Sequence, residues 1–464
     1  MKFVIIGGIS EYDVQVMAQV FFHHLPFEMV EEVPNHGLCL HVEICGTGEV
    51  TATLFDSGSM IAQNTATGAK PVALAIYRVL AEFTGYRPPW GLLTGIRPVK
   101  LISAMNSSGL GRKEAVSAMI SRYLVDETRA ELCADVAAVQ ARIMQASPQN
   151  SVSIYISVPF CPTICHYCSF SAYPVSKFGN RMEAYLAALL AEIAYLGEIC
   201  RGRPVENIYI GGGTPTALDV KNFRILLEAI DRAFDTGKAL EYTVEAGRPD
   251  TVCAEKLALM RDFGVGRISI NPQTLKGETL RKIGRGHTVS EFHEAYNLAK
   301  SFGFEHINFD LILGLPDETL ADIEATFSGI CALNPNSVTI HNLAIKRASK
   351  FHTDIPQLQK QTDMLALSRE FMGCAGLVPY YLYRQKNSPG NFENVGYSRP
   401  GFEGRYNIHM MEETRSVLAA GCGAITKLVD LEANRIERIV NLRDLDQYIQ
   451  RVDEMIARKG DIFG

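Results

Sequence analysis

The 464-residue sequence contains no apolar run that approaches a membrane span and no surplus of positive charge. A transmembrane helix needs about 20 consecutive apolar residues, which excludes a helical membrane protein. The net charge of -6 gives no reason to expect nucleic acid or an anionic membrane surface as a partner. The opening run Met-Lys-Phe-Val-Ile-Ile-Gly-Gly is too short for a secretory signal and reads as a buried strand. Tryptophan occurs once, at Trp90, and the 11 cysteines are odd in number and scattered except for one central triplet. That usage fits a reducing compartment rather than a disulfide framework, so a cytoplasmic protein is expected. A hydrophobic fraction of 47% with 21% charged residues is ordinary for a globular chain. The length predicts two or three domains with substantial cores.

Three regions are expected. Residues 1–150 read as a small α+β unit, with strands at 2–6, 38–44 and 50–54 and helical patterns at 14–22, 71–83, 112–122 and 127–145. Within it, Arg87-Pro-Pro-Trp-Gly-Leu-Leu-Thr-Gly-Ile-Arg-Pro98 reads as a connection shaped by proline and glycine, its tryptophan anchoring one domain on another. The alternative is functional: Arg97 for a substrate carboxylate and Trp90 as an aromatic surface. Residues 151–376 alternate strand and helix six times, with strands at 152–158, 207–210, 241–244, 267–270, 306–311 and 337–341. Six βα repeats predict a parallel sheet wound into a partial (β/α)6 barrel, with its chemistry at the carboxyl ends of the strands. Residues 377–464 are rich in tyrosine, phenylalanine and glycine and end in a helix over 442–458. This extension either covers the barrel mouth or closes the core.

The triplet Cys161-Pro-Thr-Ile-Cys165-His-Tyr-Cys168 follows the first barrel strand. Its C-x3-C-x2-C spacing lets one short loop wrap three thiolates around a 4Fe–4S cube, leaving one iron open to a small molecule. A zinc site completed by His166, or three unrelated buried thiols, are the other readings of the same residues. No second cysteine pair follows to complete a zinc module, and the later strand ends carry matching chemistry. Gly211-Gly-Gly-Thr-Pro-Thr216 gives close backbone approach and exposed amides. Glu245 ends the third strand. Gln273 follows the fourth and suits hydroxyls, while Arg285 suits a carboxylate. Asp310 is a charge inside an apolar strand, so it is either a ligand contact or the partner of an arginine such as Arg267 or Arg285.

Together these motifs resemble the radical S-adenosylmethionine superfamily and, within it, the Z-type branch of the oxygen-independent coproporphyrinogen III dehydrogenase family. The resemblance covers roughly 151–348, and the segments 90–98 and 381–387 resemble that branch too. Ser157 stands where the best-understood branch has histidine, and Phe170 where it has a further cysteine. The resemblance implies a barrel of that superfamily's type, with Cys161, Cys165 and Cys168 as 4Fe–4S ligands. By motif, Tyr155, Tyr167, Gly212, Gly213, Thr214, Glu245, Gln273, Arg285, Asp310 and Ala344 become contacts of S-adenosyl-L-methionine.

The implied reaction starts with one electron passing from the reduced cluster to the sulfonium. The 5′-deoxyadenosyl radical then takes hydrogen from a propionate side chain, and loss of carbon dioxide and a further electron leaves a vinyl group. The implied partners are a tetrapyrrole substrate and a reductant such as flavodoxin or ferredoxin, with no nucleic acid and no membrane span. Arg248, Lys346, Arg347, Arg384 and Lys386 are candidates for the substrate carboxylates. Two alternatives remain: a haem-binding chaperone of the same family, with His287, His341 or His409 as axial ligand, or a radical enzyme acting on another tetrapyrrole.

Overall fold

The structure is a computed structural model that describes residues 1–22, 25–46, 48–95, 97–343, 355–385, 389–460 and 462. In chain order, the first elements are β1 (Lys2–Ile6), α1 (Glu11–Phe21), β2 (Glu28–Met29), β3 (Leu38–Ile44), β4 (Val50–Asp56), β5 (Ser59–Ala66), α2 (Pro71–Thr84), α3 (Val99–Ser107), α4 (Arg112–Tyr123) and α5 (Glu127–Gln145). Next come β6 (Val152–Val158), β7 (Phe160–Cys161), β8 (Tyr173–Pro174), α6 (Val175–Phe178), α7 (Met182–Ile199), β9 (Val205–Gly212), α8 (Val220–Ala233), β10 (Glu241–Glu245), α9 (Ala254–Asp262), β11 (Arg267–Ser269), α10 (Gly277–Lys282), α11 (Val289–Ser301), β12 (His306–Leu313), α12 (Leu320–Ala332) and β13 (Ser337–Asn342). The last are α13 (Ile355–Cys374), β14 (Val378–Arg384), β15 (Glu393–Ser398), α14 (Arg405–Glu412), β16 (Ser416–Ala420), β17 (Ile425–Asp430), β18 (Arg435–Val440), α15 (Leu445–Gln450) and α16 (Val452–Ala457).

These elements group into two compact units. One joins Met1–Ala137 with Asn342–Asp363 and Leu382–Asn394; the other joins Ala138–His341 with Met364–Tyr381 and Val395–Gly464. The first unit is built on a five-stranded sheet of order β2-β1-β3-β4-β5, with β1 parallel to β3 and the later pairs antiparallel. Trp90 is a buried anchor inside this unit. Its Nε1 donates to Glu393 Oε2 at 2.8 Å, and the Arg384 guanidinium lies 5.1 Å from its ring centre. The tryptophan is thus an anchor as expected, but within one compact unit rather than of one domain on another, and it offers no aromatic surface.

The second unit contains the expected partial barrel. The strand order is β14-β15-β13-β12-β11-β10-β9-β6-β16-β17-β18, and β6 runs parallel to β9, β9 to β10, β10 to β11 and β11 to β12. Helix starts after these strands are fixed locally. Thr288 with Glu291 and Thr319 with Asp322 form reciprocal capping boxes, and Asp219 caps α8. The 377–464 region supplies strands to both edges of the sheet: β16 pairs parallel with β6, and β15 pairs antiparallel with β13. The helix expected over 442–458 is two short helices that meet at Arg451. Among the described residues, no helix is long and apolar enough to cross a membrane.

Candidate functional site

Motifs separated by up to 180 residues meet at the carboxyl ends of β6 and β9–β13, the end of such a barrel where chemistry collects. The cysteine loop leaves β6. Cys165 is buried, Cys161 and Cys168 are partly exposed, and all three are free thiols. Two buried arginines face this loop. Arg248 Nη1 lies 3.8 Å from Cys165 Sγ and donates to Thr163 Oγ1 at 3.1 Å, while its other nitrogens chelate Asp250 at 2.9 and 2.8 Å. Arg285 Nη1 lies 3.9 Å from the same sulfur. Its Nη2 donates to Gly247 O and Asn271 O at 2.9 and 2.6 Å, whereas its buried Nε has no hydrogen-bond partner.

His166 turns away from the thiols. Its Nδ1 meets Lys282 O at 2.9 Å and its backbone N–H donates to Ile283 O at 2.9 Å, so it pins the loop to the turn that carries Arg285.

The glycine run is stitched to the cysteine loop. Gly213 N donates to Val158 O and Thr214 N to Phe160 O, at 2.8 and 2.7 Å, and Thr214 Oγ1 lies 3.4 Å from Cys161 Sγ. Gly212 has φ of 110°, and a Cβ there would sit 2.9 Å from Ser157 Oγ and Val158 N. At Gly213 a Cβ would sit 2.6 Å from Phe160 O and 3.0 Å from Cys161 Sγ. Both positions therefore demand glycine, one for its conformation and both for space. Ser157 donates to Cys422 O at 3.1 Å, and Phe170 is 73% exposed.

Further round the sheet, Glu245 accepts from the Tyr209 hydroxyl at 2.6 Å. Burial pushes its carboxyl up to about 7, against that hydrogen bond and with help from Asp310. Asp310 is held by amides: Asn271 Nδ2 and Asn308 Nδ2 each donate to it at 2.8 Å, and His341 Nε2 lies at 3.7 Å. Burial opposes its ionisation, yet His341 and Asn308 hold the carboxyl below its usual value. Arg267, one of the two arginines expected as its partner, also favours the charge of Asp310, without a hydrogen bond to it among the described residues. Gln273, with φ of 68°, exchanges backbone hydrogen bonds with β12, donating to Asp310 O and accepting from Ile312 N, each at 3.0 Å. Tyr167 lies beside Cys165, and burial raises its hydroxyl above the usual range. Tyr155 stacks on Tyr209 and Tyr406.

Two substrate-binding candidates are corrected. Arg248 is a buried loop clamp. Arg384 is buried in the first unit, where it donates to Leu93 O and Asn391 O at 2.6 Å, and burial lowers its guanidinium to about 10. Neither is a solvent-facing cation for a carboxylate. Ala344, Lys346, Arg347 and Lys386 lie outside the described residues. Among the haem-ligand candidates, His409 is engaged on both nitrogens, by Glu206 and Ser147 on one and by Thr414 on the other. His287 is buried with neither ring nitrogen bonded, and burial with the nearby Arg285 lowers it to about 4. Tyr209, Tyr406 and Asn271 were absent from the expected site. For Tyr209 the signal was present: β-strand alternation puts it on the same face as Gly211.

Among the described residues, no group of three or more His, Cys, Asp or Glu side chains is arranged to hold a metal ion. The donor chemistry nonetheless fits an anionic iron–sulfur cluster. Three free thiols share one loop, two buried cations face Cys165, and the unbonded Arg285 Nε marks unmet hydrogen-bonding capacity beside it.

Residues 155–328 match the family model described as "Radical SAM superfamily". The chain is 38% identical over 438 residues to the oxygen-independent coproporphyrinogen-III oxidase-like protein HemZ of Bacillus subtilis, covering 90% of this chain and 86% of that protein. It is 29% identical to the heme chaperone HemW of the same organism, over 66% of this chain and 76% of that one. Among solved structures, coproporphyrinogen III oxidase (HemN) from Escherichia coli aligns with a TM-score of 0.55 at 24% identity, over 69% of this chain and 73% of that chain, a likeness of fold. From the matched barrel and the near full-length relative, the chain is an oxidoreductase-type enzyme that belongs to the radical SAM superfamily and, within it, to the HemZ-like oxygen-independent coproporphyrinogen III oxidase family.

Proposed function

We propose that this protein converts propionate side chains of coproporphyrinogen III to vinyl groups without oxygen, using S-adenosylmethionine and a 4Fe–4S cluster held by Cys161, Cys165 and Cys168. The observation that carries the reading is the cysteine loop against two buried guanidiniums, at the sheet end where Glu245, Gln273 and Asp310 also gather. The near full-length likeness to a coproporphyrinogen oxidase-like protein supports the choice of substrate over that of the shorter chaperone match. When bound, the cluster and cofactor supply the one-electron chemistry that removes hydrogen from an unactivated carbon.

The chain's own residues then hold and orient. Arg248 fixes the cysteine loop through Thr163, and Arg285 presents its free Nε to an anionic group such as the cofactor carboxylate. Gly212 and Gly213 let the backbone close on the cofactor, with Thr214 beside Cys161. Tyr155 and Tyr167 supply aromatic surface. Glu245 offers a carboxylate to the ammonium or ribose, Gln273 is placed for ribose hydroxyls, and Asp310 is kept ionised by His341 and Asn308. A soluble reductant of flavodoxin or ferredoxin type is the proposed electron source, and residues 377–464 the proposed cover over the substrate.

The test is anaerobic turnover of reconstituted protein with reductant, S-adenosylmethionine and coproporphyrinogen III, followed by mass spectrometry. Decarboxylation with vinyl formation, abolished in Cys165→Ala, is the expected result. Cofactor cleavage with unchanged substrate redirects the reading to another tetrapyrrole. No cleavage with an intact cluster, together with tight haem binding on titration, replaces it with the chaperone.

A further inference from the structure

We infer that Tyr209 is a positioning residue for the Glu245 carboxylate, held in line by a three-ring stack that Tyr406 completes; the inference rests on the reading of Glu245 as a cofactor contact. In β9 the alternation places Tyr209 and Gly211 on one face, and Tyr155 of β6 lies directly opposite Tyr209 in register. The Tyr155 and Tyr209 rings stack with centres 6.2 Å apart. Tyr406, from α14 in the C-terminal region, stacks on both, at 4.3 Å from Tyr209 with 24° between planes and at 6.0 Å from Tyr155 with 15°. No hydrogen bond ties the Tyr406 hydroxyl among the described residues, so its contribution is the ring.

The stack fixes where the Tyr209 hydroxyl points. That hydroxyl donates to Glu245 Oε1 at 2.6 Å. Gly211 closes the other side, because a Cβ there would lie 3.0 Å from Glu245 Cδ and Oε1 and 3.0 Å from Tyr209 Cε1. The carboxylate is thus seated against a bare Cα, with one oxygen occupied and the other left for an incoming donor. A donated hydrogen bond favours the ionised form. Around Glu245, Asp310 of β12 opposes ionisation, whereas Arg267 of β11 and His341 of β13 favour it; Tyr155 of β6 and Tyr406 of α14 are neutral neighbours. Tyr209 is the one of these groups that hydrogen-bonds it.

The test measures equilibrium binding of S-adenosylmethionine to anaerobically reconstituted protein across the neutral pH range, with circular dichroism and cluster absorbance confirming that each variant is folded and loaded. Tyr209→Phe keeps the stack and removes the donor. Its affinity is expected to fall about ten-fold, and the pH at which affinity declines on acidification is expected to move upward. Gly211→Ala crowds the same carboxylate and is expected to weaken binding in the same direction, and it serves as the variant should Tyr209→Phe fail to fold. Wild-type affinity in either folded variant overturns the inference. Weaker binding in Tyr209→Phe with an unmoved pH dependence also overturns it, since loss of packing alone would do that. Glu245→Gln separates the two levels: unchanged affinity there removes Glu245 as a contact, whereas weakened affinity with a wild-type Tyr209→Phe leaves the contact and removes only the positioning role.

Discussion

The two ends of the same parallel sheet each bury a glutamate, and they treat it in opposite ways. At the amino end of β9, Glu206 receives Ser147 and Ser151 hydroxyls at 2.7 Å each, Arg405 at 2.9 Å and His409 at 3.2 Å. Burial works against its charge, but His409 and the two serines more than offset this and hold the carboxyl at about 2. At the carboxyl end of β10, Glu245 has one hydrogen-bond donor and a neighbouring carboxylate, and its carboxyl rises to about 7. Nearby, Arg285 Nε and both nitrogens of His287 are buried without partners. Glu206 is saturated and acts as a lock, joining the end of α5, β9 and α14. Unpartnered polar atoms occur at the amino end too, at Asn207 Oδ1 and Tyr242 Oη, so the contrast lies in the glutamates themselves: one is held by four side chains, the other by one.

The largest effect expected from breaking this contrast is at the carboxyl end. Cys165→Ala removes iron–sulfur absorbance and all cofactor cleavage, while thermal stability of the cluster-free protein changes by no more than about 1 kcal/mol. A comparable loss of stability and of cleavage together would mean that the loop is part of the folding core. Next comes the lock. Glu206→Ala strands Arg405 and His409 in a dry environment, and removing one member of such a buried network costs about 3–5 kcal/mol. Denaturant titration reads that loss, and S-adenosylmethionine affinity per folded molecule is expected to stay at the wild-type value. Reduced affinity in Glu206→Ala would merge the two ends into one functional unit.

The lock also sets an acid limit. Glu206 lies near 2 in the folded chain and near its ordinary 4.5 once unfolded, so the unfolded chain binds more protons between those values. Its contribution is complete above about 4.5 and drains away as the pH falls toward 2. Glu206→Gln is expected to flatten that part of a stability–pH curve recorded by thermal melting. A limb of wild-type steepness would assign acid sensitivity to other carboxylates.

The contrast between the ends was only half legible in the sequence. The six barrel strands announce themselves through β-branched runs, and the cysteine triplet, glycine run, Glu245 and Gln273 lie at or just after strand ends, while Arg285 reaches the same end from the turn after α10. The flanking strands were hidden because their partners are distant: Ser416 pairs with Val152, and Ser337 with Ser398. The short run Ser416–Ala420, which lies between β6 and β17, carries no alternation that reveals a strand. Arg248 and Arg384 read as surface cations because nothing local shows Asp250 wrapping one or backbone carbonyls of 93 and 391 holding the other. Glu206 passed unremarked inside an apolar strand, since its four partners come from residues 147, 151, 405 and 409. Spacing along a chain locates a ligand-binding loop, whereas saturation of a buried charge is a property of the assembled fold.

The smallest expected effect gives the sharpest comparison, because its sign is opposite to that of the lock. Glu245 titrates near 7 in the folded chain and near 4.5 when unfolded, so here the folded chain binds more protons between those values. Its ionisation therefore costs stability as the pH rises from about 4.5 to 7, and the full cost is present above that window. Glu245→Gln keeps the shape and an acceptor for the Tyr209 hydroxyl but removes the charge from beside Asp310. The variant is expected to melt about 2 °C higher than the wild type at mildly alkaline pH, with no gain below about 4.5. Stabilisation that comes with loss of cofactor affinity is the pattern of a residue kept for binding at the expense of the fold. An alkaline melt equal to or lower than the wild type would place Glu245 with Glu206, as a second structural charge.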